Sequence, residues 1–211
     1  MNNAVVLDSY RGPRGLAAVE CLLEGIWTLR DGTRVRLGLL GPGDRADLLV
    51  GFADLSKRSR YLRFFSAMDE LPENILERLL STDAYRHVAI CARLLETNER
   101  VQSRIVGVAH YFRVDGEADT AEVAMAVIDG LQGHGLGRML LHTIAAYARA
   151  NGIAKFRAYT LADNAYMRHL LLTSGGVLAE QDGPVEVYDI DIGTEVAVGR
   201  QAVGASVADE I

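Results

Sequence analysis

Hydrophobic and polar positions along this chain switch repeatedly between a strand period and a helix period. From Gly25, GIWTLRDGTRVRLGLL gives two short strand-like runs on either side of Asp31-Gly32, a pair of residues suited to a tight hairpin turn. GPGDRADLLVGFADLS then takes helical spacing entered through Asp44. KRSRYLRFF and PENILERLL extend the helical region, the second with Pro72 marking its start. RHVAICARLL and RIVGVAHYFRV return to β-branched and aromatic character, and the turn-like, charged ETNERVQS between them predicts an antiparallel pair. After Asp115-Gly116, TAEVAMAV alternates as a strand and runs through a glycine-rich loop into a helix. There Leu136, Met139, Leu140, Ile144, Tyr147 and Ala148 form one apolar stripe. KFRAYTL as a strand, NAYMRHLLLTSGG as a helix ending in glycine, and the strands GVLAE and VEVYDI complete the pattern. One α/β domain over residues 25–192 is expected, with an N-terminal extension over 1–24 and a C-terminal tail over 193–211.

Composition narrows the partners more than the fold. With 49% hydrophobic and 24% charged residues among 211, the make-up is that of an ordinary globular protein. A formal charge of -6 argues against a nucleic-acid partner, and no apolar run approaches the roughly 18 residues of a membrane span, so no membrane partner is expected either. Cys21 and Cys91 stand far apart without CxxC or Cys/His spacing, which fits a reducing, cytoplasmic setting. His87, His110, His134, His142 and His169 lack any spacing such as HExxH, so no metal is expected.

The chemistry concentrates in LQGHGLGRML, from Leu131, with glycines at 133, 135 and 137 where a helix must start. A glycine inside a helix costs up to about 1 kcal/mol relative to alanine. A helix N-terminus presents unsatisfied N–H groups and a positive dipole end, and glycines let an anion approach them. The segment therefore reads as a phosphate cradle. Its GxGxG spacing departs from the GxGxxG of dinucleotide-binding folds and it lacks the Lys-Ser/Thr of a P-loop.

The segment resembles motif A of the GNAT superfamily of N-acetyltransferases, Gln/Arg-x-x-Gly-x-Gly/Ala, matched by Gln132, Gly135 and Gly137. A strand, TAEVAMAV, precedes it, and Asn164 opens the helix after KFRAYTL, as in that superfamily. The resemblance runs from about Ile26 to Ile192. More narrowly, LSKRSRYLRFF and AEVAMAV followed by QGHGLG are similar to the acetyltransferase domains of bacterial protein lysine acetyltransferases. It implies a single-domain GNAT fold, a mixed, mostly antiparallel sheet of six to seven strands flanked by helices, and acetyl-CoA as cosubstrate. Under it, the amides of Gln132, Gly133, His134, Gly135, Leu136, Gly137 and Arg138 wrap the pyrophosphate. The strand of Met125, Ala126 and Val127 pairs with the pantetheine through the backbone of Met125 and Val127. Asn164 holds a pantetheine amide and Met167 lines its other side. Asn164 is equally readable as a helix N-cap, and Met125 and Val127 as core residues.

Amine acetylation needs a base, because an ammonium has no lone pair to attack with. Glu122 is the candidate: strand alternation puts it on one face with Ala124 and Ala126, with Val123, Met125 and Val127 on the other. His110, on a neighbouring predicted strand, is the alternative base. The tyrosine that many members of the superfamily use to protonate the leaving thiolate is replaced by Leu171, so Tyr166, Tyr159 or unaided departure are the options. Gly175-Gly176 also departs from the superfamily's common Gly-Phe. The segment from Leu55 to Phe65 reads either as a cover over the acceptor cleft or as an amphipathic helix with Leu55, Leu62 and Phe65 inward. A protein lysine is the first acceptor expected, then a small-molecule amine, and the alternative outside enzymes is an acyl-CoA sensor. A homodimer is compatible with all three. No cyclic-nucleotide-binding or synthetase-like segment accompanies the pattern, so control by a fused domain is not expected.

Overall fold

The protein is described by a computed structural model over residues 22–23, 25–95 and 101–193, with backbone alone at 101–103. Apart from Leu22 and Leu23, the expected N-terminal extension lies outside the described residues, as does the expected tail beyond Gly193. In chain order the elements are β1 (Ile26–Thr28), β2 (Arg34–Leu39), α1 (Arg45–Ala53), α2 (Lys57–Phe64), α3 (Glu73–Leu80), β3 (His87–Leu95), β4 (Val101–Arg113), β5 (Thr120–Val127), α4 (Leu136–Ala150), β6 (Lys155–Leu161), α5 (Ala165–Thr173), β7 (Val177–Asp182) and β8 (Val185–Asp191). The strands form one sheet in the order β1-β2-β3-β4-β5-β6-β8-β7. Every neighbouring pair is antiparallel except β5 and β6, the only crossover that passes through a long helix, α4.

The sheet has eight strands where six to seven were expected. The lower number came from the resemblance; the strand-like runs read along the chain already number eight, and three-residue β1 and wholly exposed β7 form at the edges where two of them lie. The β1–β2 turn forms at Asp31-Gly32 as its sequence requires: Gly32 takes a positive φ of 87°, and the Asp31 carboxylate accepts from the Thr33 amide and hydroxyl at 3.0 and 2.8 Å.

The sheet divides the core in two. On one face α4 and α5 cover a large cluster including Val123, Met125, Leu136, Leu140, Phe156, Leu171 and Tyr188, which Leu22 joins. On the other face α1, α2 and α3 close over a smaller one built on Leu48, Phe52, Leu76, Ala89, Cys91, Ile105 and Val108. Of the two readings of the segment from Leu55 to Phe65, the packing one holds for Leu55 but not for Phe65. Phe65 ends α2 in the left-handed conformation, 40% exposed, and Phe64 turns inward instead.

The smaller core depends on a close approach. A Cβ on Gly51 of α1 would meet the backbone carbonyl oxygen of Ile105 on β4 at 2.6 Å. Gly51→Ala must push α1 off the sheet, so it is expected to destabilise by about 1–3 kcal/mol, read as a lower melting temperature. Gly43→Ala, whose Cβ meets nothing within 4 Å, should leave melting nearly unchanged.

Candidate active site

The site begins where two strands part. β5 and β6 pair only at Thr120↔Lys155, Ala121↔Phe156 and Glu122↔Arg157. Beyond Glu122, β5 stays with β4 as far as Gly107↔Val127, while β6 stays with β8 as far as Leu161↔Val185. A wedge therefore opens between Val123–Val127 and 158–161. Ile128 donates to the Val106 carbonyl at 3.0 Å, which fixes the parity of the β4–β5 ladder. Even-numbered residues of β5 bond β4; the backbone groups of Val123, Met125 and Val127 face the wedge. The expected pairing through Met125 and Val127 thus has an open edge to use, except at the Val127 carbonyl, which accepts from the Gln132 side chain. The N–H of Ala126, by contrast, faces β4, and its methyl group lines a cavity on the other face of the strand.

The glycine loop closes the apex of the wedge. None of the amides of Gly133, His134, Gly135, Leu136, Gly137 and Arg138 donates to a protein acceptor among the described residues, and α4 has no side-chain cap. Gly133 and Gly135 take φ of 77° and 97°, a region that favours glycine, with open space where a Cβ would stand. Gly137 lies inside α4, where its Cβ position would be 3.4 Å from the Leu170 side chain of α5. Leu136 itself is fully buried, leaving only its amide to the loop, and the Arg138 guanidinium is tied to the Thr173 hydroxyl at 3.1 Å. The amide of Gln132 is used within the loop, donating to the Asp129 carbonyl at 3.2 Å. Its side chain donates to the Val127 carbonyl at 3.0 Å and the Ser59 hydroxyl at 3.3 Å, so Gln132 braces the loop against β5 and α2. His134 is half-buried rather than pointing freely to solvent, and its carbonyl accepts from the Arg30 amide at 3.1 Å.

Across the wedge, Asn164 caps α5 with its side-chain oxygen, accepting from the Met167 amide at 3.2 Å, while its side-chain NH₂ has no partner among the described residues. Capping and ligand binding are compatible, since they use opposite ends of one amide. Met167 is partly buried against the larger core.

Glu122 is half-buried at the last paired position of the parallel junction, on the sheet face of Ala124 and Ala126. Helix α2 lies over this face. It is pinned to the loop by Asp129, which accepts from the Ser56 amide and hydroxyl and from the Ser59 hydroxyl at 2.9, 2.7 and 2.9 Å. It reaches the β6 side through Arg58 and Asp163, 3.2 Å apart. Under α2 a cavity of about 50 Å³ is walled by Phe52, Arg63, Phe64, Val108, His110 and Ala126 among others. Burial lowers the Arg63 pKa to about 10, partly offset by the negative charge of Glu122. Arg63, Phe64 and the Asp129 clasp were not identifiable from spacing, since each depends on how α2 crosses the sheet. Leu171 is buried in the larger core and supplies no acid; Tyr159 shares the face of Glu122 and is 44% exposed, and Tyr166 is 71% exposed.

A strand junction parted beside a carboxylate, with a row of undonated amides at its apex, suits a thioester carrying a pyrophosphate. Residues 49–175 match the model of the Acetyltransferase (GNAT) family. The chain belongs to this family. It is similar to the acetyltransferase Pat of Mycolicibacterium smegmatis, 29% identical over 151 residues that make up 72% of this chain and 44% of that protein, so the chain spans under half of that relative. It is similar in structure to the GNAT domain of PAT from S. lividans, with a TM-score of 0.73 at 28% identity, covering 80% of this chain and 97% of that domain. It shares the fold of a spermidine N-acetyltransferase from Vibrio cholerae, solved in complex with CoA and spermine, at 15% identity and a TM-score of 0.57, over 74% and 95% of the two chains. The parted strands and the glycine loop both fall within the residues that match the family model.

Two substitutions test the loop. Gly135→Asp puts a side chain and a negative charge where the undonated amides converge, and Gly135→Ala strains a φ of 97° without adding charge. Acetyl-CoA is expected to raise the melting temperature of the native protein. The aspartate variant should lose most of that rise; the alanine variant should melt lower but keep part of it. An unchanged rise in a folded Gly135→Asp protein would mean that the loop is structural only.

Proposed function

We propose that this protein moves an acetyl group from acetyl-CoA to a primary amine, a protein lysine before a small molecule, by direct attack in a ternary complex. The observation that carries the reading is the position of Glu122, at the last hydrogen-bonded step before the strands part, beside the open edge of Val123, Met125 and Val127. The amides of Gly133 to Arg138 hold the pyrophosphate, with the Asn164 side-chain NH₂ and Met167 along the pantetheine. An amide of the open β5 edge, at Met125 or Val127, donates to the thioester carbonyl and stabilises the negative oxygen of the tetrahedral adduct. Glu122 takes a proton from the acceptor ammonium, directly or through water, since lysine's ordinary pKa of about 10.4 leaves little free amine at neutral pH. Collapse of the adduct expels the thiolate, whose thiol pKa of about 8.5 lets it leave without a dedicated acid.

Lysine is preferred because LSKRSRYLRFF and AEVAMAV followed by QGHGLG are similar to the acetyltransferase domains of bacterial protein lysine acetyltransferases, a reading with which the similarity to Pat and to the PAT domain agrees. The resemblance to the spermidine enzyme supports the fold only, and the small-amine reading rests on the modest cavity under α2.

Glu122→Gln keeps shape and removes the basic oxygen. General-base catalysis contributes about 10²–10⁴-fold, so kcat at neutral pH should fall by that order, while acetyl-CoA affinity stays within a few fold. Free-thiol release with a panel of amines and proteins gives the measurement, and raising pH should partly restore the variant. A wild-type rate in Glu122→Gln would place the base elsewhere. Tight acetyl-CoA binding with no acetylation by either protein would favour a sensor.

A further inference from the structure

Two buried histidines on neighbouring strands form a hydrogen-bonded chain that ends at the cavity. His87 of β3 is 7% exposed and His110 of β4 is 2% exposed. His87 Nδ1 lies 3.0 Å from the Ser81 carbonyl oxygen, and His87 Nε2 lies 3.1 Å from His110 Nδ1. A carbonyl only accepts, so His87 Nδ1 carries the proton. A neutral imidazole has one, so His87 Nε2 accepts, and His110 Nδ1 must donate to it. The remaining lone pair falls on His110 Nε2, which has no partner among the described residues, and His110 lines the cavity under α2. The ring of Phe112 holds the arrangement, stacked on His87 with centroids 4.0 Å apart and carrying the Arg78 guanidinium 5.2 Å away.

Burial favours the neutral form of both rings by lowering their pKa; for His110 the positive charge of Arg63 adds to it, and for His87 the Ser81 hydrogen bond and Asp83 oppose it while Arg78 adds. Glu122 belongs to the same surroundings. Phe112 pairs with Glu122 and His110 with Ala124, so His110 and Glu122 sit diagonally on one sheet face.

We propose that His110 Nε2 is a second contact to the acceptor amine, accepting one of its N–H bonds, and that His87 is a positioning residue that holds His110 in the accepting tautomer. The proposal rests on the acetyl-transfer reading. An amine that has given one proton to Glu122 keeps two N–H bonds and a lone pair; holding one N–H fixes which way the lone pair can turn. The opposite tautomer would donate its N–H to the amine's lone pair and so occupy the electrons needed for attack.

Nitrogen-15 spectra of the full chain with CoA test the tautomer directly: His110 is expected to show a protonated Nδ1 and a bare Nε2, and the Nε2 resonance should move when n-propylamine is added. In kinetics, His110→Phe should lower kcat/KM about tenfold or more, the scale of one lost hydrogen bond to the reacting group, with acetyl-CoA affinity within a few fold. His87→Phe should lower it similarly without touching substrate, and His87→Gln, whose side-chain oxygen accepts from His110 Nδ1, should restore much of it. A protonated Nε2, an Nε2 resonance indifferent to the amine, or a folded His110→Phe with wild-type kcat/KM would overturn the proposal. Glu122→Gln in the same assay separates the two failures. If it is slow while His110→Phe is not, the base reading stands and only the second contact falls. If both run at the wild-type rate, both fall.

Discussion

The parting of β5 and β6 after Glu122↔Arg157 is the constraint on which the rest of the structure depends. An unpaired strand edge inside a sheet is costly, because its N–H and C=O groups lose partners they would have in water or in the ladder. Each strand keeps its outer ladder while the inner edges part: β4 stays with β5 through Val127, and β8 with β6 through Leu161. Helices α4 and α5 back the wedge from the larger core. The open edge is thus a stored demand for hydrogen bonds, which an extended amide-bearing chain such as pantetheine can meet as an added strand.

The second feature, the clasp of α2, follows from that opening. A wedge with one face bare would leave Glu122 in bulk water, where a base has no means of selecting its proton. Asp129 gathers three donors from the start of α2. Burial acts to raise its carboxyl pKa, but the bonds from Ser56 and Ser59 outweigh this and leave it lowered. A depressed pKa means stability present above the unfolded value and lost as pH falls through the folded one, so the clasp weakens in acid, not in base. The Arg58–Asp163 pair adds little energy, both partners being well exposed, but it spans the wedge and fixes the direction in which α2 crosses. Gln132 ties clasp, loop and strand through two hydrogen bonds from one side chain.

Much of this was readable in the sequence, and the unread part has a common cause. Alternation in TAEVAMAV gave the two faces of β5, and the glycines before Leu136 gave the strand-to-helix loop, because both signals are local. The strand-like runs along the chain number eight, edges included, and it was the resemblance that implied six to seven. The inward side chain at the end of α2 is Phe64 rather than Phe65, because Phe65 leaves helical geometry for φ 56°, a departure that apolar spacing does not announce. The cofactor assignment of Ala126 needed ladder parity to separate its backbone, bonded to β4, from those of Met125 and Val127. His110 was visible as an alternative base, but its partner His87 lies 23 residues away across a strand pair, and only register joins them.

What the fold assembles over Glu122 is a small region of opposed charges rather than an acidic pocket. Arg63 has no carboxylate within ion-pairing distance among the described residues; it rests on the Phe64 ring at 5.0 Å and is desolvated enough for its pKa to fall to about 10. A guanidinium in that condition disfavours a second cation nearby, while Glu122 attracts one. The two effects act at different stages. On the proposed acetyl transfer, the carboxylate would draw an ammonium in at the solvent edge, and deeper, beside Arg63 and two neutral histidines, the uncharged amine would be the more stable form. Under that proposal proton loss and approach to the thioester are coupled by position, and the net acidity of the chain, -6 overall, is compatible with a site whose inner wall is positive.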